Sequence, residues 1–89
     1  MNRDRKGQPY VEYKGRRITF IPKGRDGKTY KDWSDSAVIR IQAHQYDKEN
    51  GNELPTLCQG AELPIGSIEE AGTILGLLAK VILEGFKEP

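Results

Sequence analysis

Between residues 67 and 85 apolar side chains recur at three- and four-residue steps, the period of an α-helix. Ile68, Ala71, Leu75, Leu78 and Ile82 form one stripe. Ile74, Leu77 and Val81 form a second beside it, and Leu83 adds width. Ser67 is a good N-cap, and Glu70, three residues on, completes a capping box. Glu69 and Glu70 also place negative charge at the positive end of the helix dipole. Gly85 is expected at the left-handed position that ends the helix. An ordinary surface helix needs one apolar face. A small sheet covers one stripe, so the second is read as a dimer face, assigned to Ile74, Leu77, Leu78 and Val81. Gly72 and Gly76, four apart on one side, would let another backbone come close. The competing arrangement is close packing on the chain's own sheet.

Upstream the period changes to two, the signature of strands. Residues 10–13 alternate, and Lys14-Gly15 reads as a tight turn or bulge. In residues 16–23, Ile18 and Phe20 point one way and Arg17, Thr19 and Ile21 the other, with Pro22 ending regular pairing. Asp26-Gly27 marks a hairpin turn, and residues 29–33 follow as a strand. Residues 37–47 are the clearest strand. Ala37, Ile39, Ile41 and Ala43 face one side and suit a core under the helix. Val38, Arg40, Gln42, His44 and Tyr46 face the other and suit a solvated surface. After a loop with Asn50-Gly51 at its tip, residues 54–65 contain Pro55 and Pro64 and read as an edge strand or extended connector. Their Leu57 and Leu63 can pack under the helix. The expected fold is α+β: an antiparallel four-stranded β-meander, five-stranded if residues 10–13 join it, followed by one C-terminal helix (ββββα) that dimerises. Residues 1–9 are expected as a flexible basic arm and residues 10–89 as a single domain.

Length sharpens the dimer expectation. The chain has 89 residues, and so small a domain buries only a modest fraction of its surface alone. Its one Cys and one His exclude an internal disulfide and a Cys/His zinc cluster, and an unpaired Cys fits a cytoplasmic location. The polar N-terminus does not read as a signal peptide, and the helix is too interrupted by Gly and charge for a membrane span. The net charge of +1 hides a segregation. Residues 1–31 hold ten Lys/Arg and three acids, an excess of seven positive charges. Residues 32–89 hold four bases and ten acids, an excess of six negative charges. A basic third of this kind is the footprint of a phosphate-backbone binder, or a surface that keeps the protein soluble.

Catalysis finds little support. Cys58 and His44 are the only thiol nucleophile and base, and nothing flanking Cys58 would lower its pKa. Asp32 and Asp35 read as turn residues. Gly24 and Gly27 lack the strand–loop–helix context of a phosphate loop. No enzyme activity, cofactor or metal is expected. Nucleic-acid binding is better served. Arg17, Lys23, Arg25, Lys28 and Lys31 cluster on the first strands and their turn. Tyr30, Trp33, His44 and Tyr46 offer ring faces, with Arg40 and Gln42 between. Cations along a backbone and aromatic platforms under bases are what hold single strands. Each ring also has an ordinary role: Trp33 as core, Tyr30, His44 and Tyr46 as strand residues.

Residues 38–46, then Asp47, Gly51, Pro55, Gly60 and Leu63-Pro64-Ile65, then a capped helix, resemble the C-terminal half of the PC4-like transcriptional coactivators. The basic strand from Gly15 to Phe20 resembles that family's early Arg-rich strand. The resemblance covers residues 15–85 in order of elements. It implies homodimers of ββββα subunits that bind single-stranded DNA on curved sheets. It carries Arg16, Arg17, Lys28, Lys31 and Arg40 over as backbone contacts, and Tyr30 and Trp33 as stacking residues. The chain departs from the family at residues 57–62, which hold no base, and at Asp32 and Asp35, which would repel phosphates.

The leading expectation is a non-enzymatic homodimer that binds single-stranded nucleic acid, DNA by the resemblance, in transcription or replication. The alternative is a small protein-interaction module or inhibitor, phage-type or regulatory, that docks on an acidic partner protein. The basic third does not separate them; the placement of Tyr30, Trp33 and Tyr46 does. Rings exposed together favour bases, and buried rings favour a protein partner.

Overall fold

The computed structural model describes residues 1–24, 33 and 35–88. The chain is an α+β fold: an antiparallel sheet followed by one C-terminal helix. Strand β1 (Asn2–Arg3) pairs β2 (Pro9–Tyr13), which pairs β3 (Arg16–Ile21), which pairs β4 (Ala37–Tyr46). The far edge of β4 carries two short strands in succession, β5 (Glu53–Leu57) and β6 (Ala61–Ile65). Helix α1 (Ile68–Lys87) closes the chain.

Turn chemistry sets the register. Lys14 and Gly15 both take positive φ, 47° and 77°. This is the two-residue turn whose twist matches an antiparallel hairpin, and it brings Tyr13 opposite Arg16. The first nine residues, expected as a flexible arm, form a hairpin onto β2. Asp4 organises it: its Oδ1 accepts the amides of Lys6 and Gln8 at 2.9 Å each. Its carbonyl accepts the Gly7 amide at 3.0 Å. Gly7 supplies the positive φ of 79° that the turn needs. Between β4 and β5, Asp47 does the same work with the amide of Glu49 and the side chain of Asn50. Those bonds, the Glu49 amide first, hold its carboxyl below the usual range.

Residues 54–65, expected as an edge strand or connector, follow β4 with one interruption at residues 58–60. There Cys58 donates its amide to the Ala43 carbonyl at 2.8 Å. Gly60 passes so close to β4 that a Cβ would collide with the Ile41 carbonyl. The expected strand at residues 29–33 lies outside the described residues except for Trp33, which forms a turn with its carbonyl on the Ser36 amide.

The core differs from the expected one. Ile21 and Val38, opposite each other on β3 and β4, are fully buried, and Ile65 is nearly so. Val38 was expected on the solvated face. The face expected to lie under the helix is open: Ile18, Phe20, Ile41 and Leu63 are each 36–43% exposed. The reason is the path of α1. Its main contact is with β6, and it buries none of its residues. Ser67 caps it, accepting the Glu70 amide at 3.1 Å, and the helix then leaves the sheet as a rod of about 30 Å. The Cα radius of gyration is 14.9 Å, against about 12 Å for a compact domain of this length. The helix also runs past Gly85, which does not take positive φ. It ends at Lys87, with Glu88 extended, as a residue before proline is driven to be.

Candidate nucleic-acid interface

The sheet has two chemically distinct faces. Register places Tyr10 with Thr19 and Arg40, and Glu12 with Arg17 and Gln42, on one of them. Val11, Ile18, Phe20, Ile39, Ile41 and Leu63 lie on the other. Alternation thus separates Arg16 from Arg17. Arg17 is on the polar face, its guanidinium 4.2 Å from the centre of the Tyr10 ring. Arg16 turns back to the Lys14 carbonyl at 2.8 Å.

Arg17 donates Nε and Nη2 to Glu12 Oε1, at 2.8 and 2.7 Å. The same oxygen lies 3.1 Å from His44 Nε2, and His44 Nδ1 lies 2.9 Å from the Leu54 carbonyl oxygen. Three strands are thereby tied by one imidazole. Arg17 first, then His44, hold the Glu12 carboxyl below its usual value. The bond to Glu12 first, then the Leu54 carbonyl, push His44 up, because both ring nitrogens face acceptors. Beside this network, Arg40 donates Nε and Nη2 to Glu62 Oε1 at 2.9 and 2.7 Å. The Glu62 side chain is 1% exposed and that of Arg40 21%, so a half-buried guanidinium meets a buried carboxylate, placed by β4–β6 register.

Arg17 and Arg40 line a hollow of about 480 Å³ with the N-terminal hairpin, which contributes Arg3, Arg5, Lys6 and Tyr10 to its lining. Of the residues the sequence assigns to binding, the structure brings Arg17 and Arg40 together. It puts Arg16 on the opposite face and Trp33, half-buried, in the turn before β4. Lys28, Tyr30 and Lys31 lie outside the described residues. Tyr46 is 56% exposed. His44 is held on both nitrogens and offers no free ring nitrogen for contact. The hairpin cations and Tyr10 were not assigned from sequence. The signal for them was the Asp4-Arg5-Lys6-Gly7 tetrad, with Asp at the first and Gly at the last position of a turn.

Elsewhere the chemistry is sparse. Cys58 Sγ accepts the Ala43 amide at 3.3 Å, and the His44 nitrogens are engaged by Glu12 and Leu54 rather than by the thiol. No three metal-ligating side chains converge among the described residues, and no helix among them is long and apolar enough to cross a membrane. The helix residues assigned to a dimer contact stay accessible: Leu77, Leu78 and Val81 are exposed and Ile74 is half-buried. Compared with family models, curated proteins and solved structures, the chain matches none.

Proposed function

We propose that this protein is a non-enzymatic homodimer that binds single-stranded nucleic acid, DNA in the first instance, on the polar face of its sheet, with a role in transcription or replication. The observation that carries the reading is the gathering of Arg3, Arg5, Lys6, Arg17 and Arg40 around one hollow on one face. Cations so grouped attract a phosphate backbone. The order of elements, antiparallel sheet then helix, is the one the PC4-like resemblance implies. The dimer part rests on apolar surface. Among the described residues only Ile21 and Val38 are fully buried, and a small domain gains stability from a partner that covers its apolar surface. The unpartnered helix and the open sheet face are the surfaces a second copy would cover. The acidic-protein reading keeps one observation in its favour. Tyr46 is exposed but Trp33 is half-buried, so a stacking platform is not assembled among the described residues.

Fluorescence anisotropy of a labelled single strand, with a duplex of the same sequence beside it, tests the reading at low and moderate salt. The expected result is tight binding to the single strand that weakens steeply with salt, and weak binding to the duplex. Arg17→Ala should reduce affinity several-fold more than Arg16→Ala, since the two lie on opposite faces. Absence of binding at low salt would overturn the nucleic-acid reading and favour an acidic protein partner.

A further inference from the structure

We infer that the hollow between the N-terminal hairpin and the sheet is a phosphate site, the point at which the proposed strand is gripped. The inference rests on the nucleic-acid reading for the source of the phosphate, and on the hollow's own chemistry for its class.

Charge comes first. Among the described residues, five cations and one carboxylate, Asp4, line the hollow. Asp4 Oδ1 accepts two backbone amides. Glu12 and Glu62 pair with Arg17 and Arg40. Among the described residues the cations there outnumber the acids, these three included. Donor geometry comes second. The Arg17 guanidinium is fixed in plane by the Tyr10 ring at 4.2 Å and by two bonds to one Glu12 oxygen. Arg3 is fixed by its bond to the Gly7 carbonyl at 3.1 Å. A planar, pre-ordered guanidinium recognises the oxygens of phosphate with little further loss of entropy. Third, Gln8 forms part of the wall and is 4% exposed, and its Nε2 has no hydrogen-bond partner among the described residues. A buried donor without an acceptor is costly, and an acceptor-rich ligand drawing the hairpin inward would relieve it. The size, about 480 Å³, takes a phosphate with its attached sugar rather than only a bare ion.

Two measurements on the full chain test this. In the first, inorganic phosphate is titrated into isotope-labelled protein and followed by NMR. Saturable shifts at the amides of residues 3–8 and at the Arg17 side chain are expected; shifts that are absent or unsaturable overturn the site. In the second, anisotropy with oligothymidylate compares the native protein with Arg5→Gln/Lys6→Gln. Both side chains are exposed, and the NMR spectrum of the variant reports that its fold survives. The expected loss is about tenfold at low salt, with a salt slope shallower by about one and a half for the two charges removed. Equal binding by native protein and variant overturns the hollow while the nucleic-acid reading stands. Phosphate binding without oligonucleotide binding does the reverse. A 5′-phosphorylated oligomer bound more tightly than its 5′-hydroxyl twin would assign the site to a strand end, and equal binding of the two to internal phosphates. A glutamate-rich peptide that shifts the same resonances at lower concentration than phosphate would overturn the assignment in favour of an acidic protein.

Discussion

His44 shows how one residue joins distant parts of the sheet. Its Nε2 faces Glu12 on β2 and its Nδ1 faces a backbone carbonyl of β5, so the doubly protonated ring satisfies both. Its pKa is raised above the ordinary 6.5. A raised folded-state pKa means that the contribution to stability is fully present below the unfolded value and is lost as pH rises through the folded one. Glu12 has the opposite sign: its contribution is present above the ordinary carboxylate value and is lost as pH falls through its lowered one. The network is therefore strongest in the weakly acidic window between them. Since the chain has one His, an NMR titration of its ring reads the value directly. A midpoint above 6.5 is expected, falling in Glu12→Gln; a midpoint at or below it would overturn the network. Sequence placed His44 on the polar side of a strand, beside Arg40 and Gln42, and that much was legible from its position in the alternation. Its partners were not, because the contact to Glu12 spans 32 residues of chain. Gly60 is similar: a glycine in a Pro-containing stretch signals a break, but only the packed strands put the Ile41 carbonyl where its Cβ would be.

At the scale of elements, local rules were sufficient where the chain contacts itself nearby. The Lys14-Gly15 turn, the long β4 and the Ser67 cap all follow from neighbouring residues. The hairpin at residues 1–9 was missed because its polar composition argued for an arm, whereas Asp4 ties it with side-chain and backbone bonds that composition does not register. The helix end was missed because Gly85 has the residue type of a terminator but not the conformation. Nothing before Pro89 forbids the next turn, and Lys87 suits the negative end of the dipole. The helix is also the element whose purpose is most exposed to test. Leu77→Glu/Val81→Glu puts two charges on a stripe that is accessible in the single chain. If that stripe meets a second copy, sedimentation should show the variant as monomer and thermal unfolding should move down by ten degrees or more, on the order of 2 kcal/mol for a domain of this size. An unchanged mass and unfolding temperature would remove the helix from the interface.

For the whole molecule, the proposed dimer would cover the two apolar surfaces, and folding and association would then be one event. The unfolding temperature should then rise with protein concentration, as mass action requires of a dimer. A calorimetric series over about a hundredfold dilution checks this, and a constant temperature would mean that the single chain is stable with its apolar face in water. What the sequence determined by itself is the part governed by short-range periodicity and capping: the class, α+β with an antiparallel sheet and a terminal helix, the alternation that splits Arg16 from Arg17, and the segregation of charge into a basic first third. What only the tertiary structure decided is where those elements meet. It turned Val38 inward and left Ile41 outward, because burial depends on which face other parts of the chain cover, and α1 buries none of its own residues against the face of Ile41. It also folded three hairpin cations over the sheet beside Arg17 and Arg40. Strand pairing set that meeting, since β2 lies between β1 and β3, and no pattern within a single segment encodes a neighbour across the sheet.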